Sequence, residues 1–300
     1  MFWLRSVAVA VACCALSATA CQSPAAPPTS PSPPAAPTQD DKPGSGDQRI
    51  IIEFGGKTRS YVVHAPPSYD GSTALPLVVA LHFYPGDAAR IATTSGLNAK
   101  ADKENFLVVY PEGHASGFNA FLCCGSEDDV GFVKTVLARM INAWKADPKR
   151  VYAAGISNGG DMSFKLAVEL PDTFAAIAAV SGGFIGSAAA QPSYKPTTPV
   201  SVITFLGGKD RYFGRFDTGI TLWQERLACA PGVARDDLAN GITVATATCA
   251  DGSTVEIYRL PEMGHSWPGA AQGELSDAGA GVNATDLAWD FFEAHAIHGR

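Results

Sequence analysis

From about residue 48 onward, short and nearly continuous apolar runs alternate with stretches of helical period, and this alternation restricts the fold more than any other feature. "LPLVVALHF", "NFLVVYP", "RVYAAGIS", "FAAIAAVSG" and "VSVITFLG" have centres without a polar face to turn toward water. They read as strands buried on both sides. Between them, "DAARIATTSGLNAKADKE", "DDVGFVKTVLARMINAWKA" and "NGGDMSFKLAVEL" read as helices, the second carrying Val130, Val133, Val136, Leu137, Met140 and Ile141 on one face. "RIIIEF" and "YVVHA" form an antiparallel entry around "GGKTR", and "TVEIYRL" with the helix "NATDLAWDFFEAH" closes the chain. The pattern predicts a single α/β domain over 48–300, a mostly parallel central sheet with helices on both faces. In such sheets the functional residues gather at the carboxyl ends of the strands.

The first residues have a different character. "MFWLRSVAVAVACCALSATAC" has one charge, Arg5, before an apolar run of about ten residues, half of what a membrane span requires. It reads as a signal peptide over 1–20, with Cys21 directly after the cleavage site as the candidate for lipidation. Residues 21–47 follow as a Pro/Ala/Ser-rich linker with too little apolar bulk to bury a core. The expectation is an exported protein: a cell-envelope lipoprotein touching the membrane only through its lipid anchor, or, where Cys21 carries no lipid, a secreted one. The whole chain has a net charge of −7, which becomes −8 once the signal and Arg5 are removed. An acidic domain without a basic stripe argues against nucleic acid as a partner.

Outside the signal and Cys21, four cysteines remain: Cys123, Cys124, Cys229 and Cys249. Export makes disulfides the expected state. A bridge from Cys229 to Cys249 would close the loop around "TVATA". Cys123 and Cys124 are adjacent, so either they join each other or each pairs elsewhere and the first pairing fails. No histidine lies at ligand spacing beside them, so no metal site is expected, and no cofactor.

"VYAAGISNGG" carries the chemistry. Gly155-Ile156-Ser157-Asn158-Gly159 fits G-x-S-x-G between an apolar strand and a helical stretch. A serine on so sharp a turn needs small residues two before and two after it, and the following helix points its positive end at a developing oxyanion. Ser157 is therefore the candidate nucleophile. A serine hydroxyl needs a base, and the base needs a third group to hold its tautomer. Of six histidines, His64, His82 and His114 precede the serine, and His295 and His298 lie in or beyond the last helix. His265, on the loop "PEMGHSWPG", is left as the base. Asp210, a turn beyond the strand "VSVITFLG", is the candidate acid, with Asp217 the competitor and Asp236 and Asp237 in a polar loop. Two backbone N–H groups are needed for an oxyanion: Asn158 supplies one, and Tyr84, in "LHFYPG", the other, with Phe83 the alternative.

Together, "RSYVVHAP", "FLVVYPEG", "CCG", "DDVGF", "RVYAAGISNGG", "GHSWPG" and "DLAWDFF" resemble, in that order, the secreted polyhydroxybutyrate depolymerase, feruloyl esterase and acetyl-xylan esterase family. The resemblance implies an α/β-hydrolase fold, with Ser157 as nucleophile, Asp210 as acid and His265 as base. It also implies an aromatic at the site rim at Trp267, and it supports the Cys229–Cys249 bridge. This chain departs from the family twice. His82-Phe83 replaces the usual His-Gly after the central strand, so Phe83 is expected to narrow the acyl side of the substrate site. Leu206-Gly207-Gly208-Lys209-Asp210 replaces His-Gly-Thr-x-Asp, keeping the acid on a different scaffold. Phe118, Phe121 and Tyr212 are further aromatics that could line the site or belong to the core. The two acids of "DDVGF" read as helix capping and dipole chemistry.

The function expected is hydrolysis of carboxylic esters, with polyhydroxyalkanoate, feruloyl and acetyl esters as substrate classes, polymeric ones included. The alternatives are a serine peptidase on the same fold, and a non-catalytic or weakly active surface lipoprotein that binds a polymer or host factor.

Overall fold

The computed structural model describes residues 42–235 and 238–297. The expected signal peptide, Cys21, the linker up to residue 41, Asp236, Asp237 and His298 lie outside the described residues.

The chain enters through the antiparallel pair β1 (Gly46–Phe54) and β2 (Lys57–Ala65), turning at Gly55-Gly56. It then alternates: β3 (Leu75–Leu81), helices α1 (Ala88–Ser95) and α2 (Leu97–Glu104), β4 (Leu107–Pro111), α3 (Asp129–Asn142), β5 (Ala146–Ile156), α4 (Asn158–Glu169) and β6 (Ala176–Val180). The short α5 (Gly186–Ala190) leads to β7 (Ser201–Gly207), α6 (Phe213–Arg226), β8 (Ala230–Arg235), β9 (Thr243–Thr248) and β10 (Thr254–Leu260). After the two-residue strands β11 (Trp267–Pro268) and β12 (Ser276–Asp277), α7 (Ala284–Glu293) ends the order. Ten of the described strands form one sheet in the order β1-β2-β4-β3-β5-β6-β7-β10-β9-β8. Its centre, from β4 to β10, is parallel, and antiparallel pairs flank it at both sides. The fold is the mostly parallel α/β-hydrolase sheet that the strand and helix alternation predicts.

β3 shows why the pattern is legible. Leu75, Leu77, Val79 and Leu81 pack into one core with α3, α4 and α6, while Val78 and Ala80 pack into the other with α1, α2 and α7. A strand buried on both faces has no reason to alternate polar with apolar residues. Each fully buried Val or Leu contributes on the order of 1.5–3 kcal/mol, so this central layer is where the fold is held.

Three details differ from the sequence reading. The stretch "DAARIATTSGLNAKADKE" is two helices, because Gly96 adopts a left-handed conformation (φ 64°) that ends α1 and starts α2. β8 is a further edge strand, paired to β9. Of the two acids in "DDVGF", Asp128 caps α3 by accepting the Gly131 N–H at 2.8 Å. Asp129 does more than that. It is buried, bonded to Arg59 at 2.6 Å and to the Asn119 N–H at 2.7 Å. Both disulfides are present: Cys229 with Cys249, and Cys123 with its neighbour Cys124. No helix among the described residues is long and apolar enough to cross a membrane.

Candidate active site

β5 runs straight into Ser157, which sits at φ 57° and ψ −122° before the first turn of α4. A non-glycine residue there costs on the order of 1–3 kcal/mol, so the surroundings must hold it. They do so through the Ser157 N–H to the Val180 carbonyl at 2.9 Å, and the Asp161 N–H to the Ser157 carbonyl at 2.9 Å. The neighbours must also be glycine. A Cβ on Gly159 would lie 2.1 Å from the Leu81 carbonyl oxygen, and one on Gly155 2.3 Å from Gly159 itself. The turn is therefore a packed elbow at the carboxyl end of the central strands, with the start of α4 directly behind the serine.

His265 lies on the loop after β10, and Asp210 on the loop after β7. These strands are parallel neighbours, so their exits deliver both residues to one edge of the sheet. His265 Nδ1 and Asp210 Oδ2 are 2.6 Å apart, while Asp210 Oδ1 accepts the Tyr212 N–H at 2.8 Å. Asp210 is buried and thereby fixed. The unusual "LGGKD" scaffold has a physical reason: the Lys209 N–H bonds the Met263 carbonyl at 2.9 Å, and a Cβ on Gly207 would lie 2.3 Å from the Gly264 carbonyl oxygen. Close approach of the two loops is what glycine permits here. The competing acid, Asp217, is held instead by Arg259 at 2.7 Å. Of the other histidines, His64 is bonded to Asp47 and Asp102, and His295 to the Phe291 carbonyl.

Ser157 and His265 line one cavity of about 820 Å³, together with Phe83, Tyr84, Asn158, Asp161, Tyr212 and Arg215, among others. No hydrogen bond joins the serine hydroxyl to the imidazole here. The cavity shares Leu122, Ile185 and Arg215 with an adjoining groove, whose remaining walls include Phe184, Ala189 and Leu222. A different cavity of about 750 Å³, bordered by Thr94, Lys100, Gly269 and Asp286, includes neither Ser157 nor His265. Among the described residues no group of three or more His, Cys, Asp or Glu side chains is arranged to hold a metal ion.

The aromatic expectations divide. Phe83 is buried against the cavity wall, with the Arg90 guanidinium 5.0 Å from its ring centroid. Tyr212 lines the cavity and meets His265 edge-on, with centroids 5.8 Å apart. The expectation of Trp267 at the rim is corrected by the structure. Trp267 is 1% exposed, its indole N–H is bonded to Thr285 Oγ1 at 3.0 Å, and it belongs to the core beneath α7. Phe118 is likewise core, its ring tilted against His82 with centroids 4.5 Å apart, and Phe121 packs on Phe184 and Tyr194.

Two side chains have roles that their sequence positions do not announce. Asn158 accepts the Phe118 N–H at 2.8 Å through Oδ1 and donates Nδ2 to the Phe118 carbonyl at 3.1 Å and the Cys123 carbonyl at 3.4 Å. It thus ties the Cys123–Cys124 loop to the elbow. His82 is fully buried, and its tautomer follows from its partners. The Gly113 N–H donates to Nε2 at 2.9 Å, so the ring proton sits on Nδ1 and is donated to the Phe83 carbonyl at 2.8 Å. Burial lowers the His82 pKa, which keeps this ring neutral.

Asp161, one turn into α4, also lines the cavity. Burial lifts its pKa to about 7, opposed only in part by the Gly183 N–H it accepts at 2.8 Å. The raised folded-state value means that the folded protein binds this proton more tightly than the unfolded chain. Stability therefore falls as pH rises from about 4 toward 7 and then levels. Asp161→Asn keeps the acceptor for Gly183 and removes the titration. Thermal unfolding should find the variant on the order of 3–4 kcal/mol more stable relative to wild type at pH 8 than at pH 4. Parallel pH profiles for the two proteins would contradict it.

Comparison with known proteins identifies this scaffold. Residues 59–195 match the family described as Esterase PHB depolymerase. The chain is 32% identical over 274 residues to a protein named "Putative esterase NocK" from Nocardia uniformis subsp. tsuyamanensis, covering 78% of this chain and 77% of that one. The chain belongs to the Esterase PHB depolymerase family. It is a carboxylic ester hydrolase, a serine hydrolase of the α/β-hydrolase type. Feruloyl esterase B of Piromyces equi is 29% identical over 156 residues, covering 51% of this chain and 29% of its own length. Among solved structures, the acetyl xylan esterase from Aspergillus awamori shares the fold with a TM-score of 0.57 at 17% identity, covering 74% of this chain and 94% of that one.

Proposed function

We propose that this family member hydrolyses carboxylic esters through an acyl-enzyme formed on Ser157, with His265 as general base and acid and Asp210 as its orienting carboxylate. The observation that carries the reading is the 2.6 Å bond between His265 Nδ1 and Asp210 Oδ2 beside a cavity that also borders Ser157. Asp210 accepts the Nδ1 proton, which leaves Nε2 as the acceptor for the serine hydroxyl. Serine and ring share the cavity wall without a bond between them, the open geometry common before substrate tightens a site.

In the reaction the Ser157 oxygen attacks the ester carbonyl carbon while its proton passes to His265 Nε2. The tetrahedral oxyanion takes hydrogen bonds from the Asn158 and Tyr84 N–H groups. His265 then returns the proton to the departing alkoxide, and the C–O bond to the alcohol breaks. Water repeats the sequence on the acyl-enzyme, releasing the acid and restoring Ser157. Support for Tyr84 over Phe83 comes from His82. In a trans peptide the carbonyl and the following N–H point opposite ways, so holding the Phe83 carbonyl against His82 turns the Tyr84 N–H away from that ring. Each such donor is worth about 3 kcal/mol of transition-state stabilisation.

The substrate classes we propose are those named by its relatives, feruloyl or acetyl esters, and hydroxyalkanoate esters in view of the family, polymeric ones included. We also place the protein outside the cytoplasm, tethered through a lipid on Cys21, with the two disulfides supporting export. Matched p-nitrophenyl esters and p-nitroanilides test the reaction class. Esters should turn over far faster than anilides, and comparable anilide turnover would favour a peptidase instead.

A further inference from the structure

The mouth of the cavity carries a concentration of cations that the net acidity of the chain does not suggest. Arg90, Lys209, Arg211 and Arg215 all line it. Two of them are neutralised. Arg90 pairs with Glu274 and donates to the Pro85 carbonyl, and Lys209 pairs with Glu262. Arg211 and Arg215 have no carboxylate partner among the described residues. Both are exposed, and both lie against one ring, with guanidinium carbons 4.6 and 5.8 Å from the Tyr212 centroid. The same ring meets His265 edge-on at 5.8 Å. Two unpaired like charges gathered around one aromatic repel each other, and an anion held between them would relieve that repulsion.

Resting on the esterase reading above, we propose that Arg211 and Arg215 form an anion subsite, and that the preferred substrates are esters carrying a carboxylate or similar anion a few bonds from the scissile group. The remaining carboxyls in the cavity do not cancel this charge. Glu274 is occupied by Arg90, and Asp161 is buried at the start of α4, where it accepts the Gly183 N–H at 2.8 Å. Asp217, on the same helix as Arg215, is engaged by Arg259. The guanidinium fork suits a carboxylate better than an ammonium would, and its charge would steer the substrate as well as hold it. The −8 charge expected of the exported chain disfavours anionic substrates elsewhere on the surface, so the subsite would also orient their approach.

The test compares mono(4-nitrophenyl) adipate with 4-nitrophenyl hexanoate, which share chain length and leaving group and differ in one carboxylate. The readout is the ratio of kcat/KM for the anionic ester to that for the neutral one. Wild type should favour the adipate, and Arg211→Gln with Arg215→Gln should lower the ratio by about tenfold. The corresponding double lysine variant should recover part of it, and raising sodium chloride from about 20 mM to about 500 mM should compress the wild-type ratio toward that of the glutamine variant. A ratio unaffected by both the glutamine substitutions and salt, with the hexanoate still turned over, overturns the anion subsite and leaves the esterase reading intact. Failure of wild type to cleave either ester overturns both.

Discussion

Ser157→Ala should reduce kcat for p-nitrophenyl acetate by about 10⁶-fold, the loss typical when the nucleophile of a cooperating triad is removed. In the proposed mechanism the three groups act as a unit: without the serine oxygen, a correctly held imidazole and an intact oxyanion site would have no acyl acceptor to serve. The fold should be unaffected. Ser157 already occupies its strained conformation as a residue with a Cβ, and its backbone bonds to Val180 and Asp161 do not involve the hydroxyl. Circular dichroism and thermal unfolding should therefore match wild type while turnover disappears. A variant retaining a tenth of wild-type activity would mean that another group performs the attack.

Asp210→Asn should cost about 10⁴-fold in kcat, for a reason specific to this loop. Oδ1 accepts the Tyr212 N–H at 2.8 Å, so the asparagine must keep its carbonyl oxygen there and turn its NH₂ toward His265. That NH₂ would donate to Nδ1, force the proton onto Nε2 and leave the ring nothing with which to accept the serine proton. A change of size alone cannot explain such a loss, since the two side chains are nearly isosteric. Kinetics with p-nitrophenyl acetate measure it, and a reduction below about tenfold would show that Asp210 does not set the tautomer.

The central sheet is legible in the sequence because β3, β4, β6, β7 and the second half of β5 are buried on both faces, and continuous apolar runs announce that environment directly. The elbow is legible for a local reason, as the glycines it needs are two residues away on either side. Asp210 and His265 can be paired from chain order and strand ends, since β7 and β10 are neighbours in the sheet. What stays hidden depends on the third dimension. Nothing in "GHSWPG" distinguishes a tryptophan at a rim from one turned inward to Thr285. Chain order sets His82 aside as a base and says nothing more of it. Only the fold brings Gly113 to its Nε2 and thereby assigns it a holding role for the Phe83–Tyr84 peptide. The position of Asn158 after the serine points to its backbone N–H, whereas its side chain binds a loop about forty residues earlier in the chain. The cluster of Arg211 and Arg215 is diluted in an acidic total charge. Their four-residue spacing, Arg211 just before α6 and Arg215 in its first turn, is its only trace.

Labelling with a fluorophosphonate, followed by peptide mass mapping, tests the assignment most directly, because the reagent bonds to a serine only where a base has activated it. The native protein should acquire one phosphonyl group, on the peptide containing Ser157, with hydrolysis of p-nitrophenyl acetate lost in proportion and labelling abolished in His265→Ala. An adduct on a different serine, or full esterase activity in protein that remains unlabelled at Ser157, would contradict it.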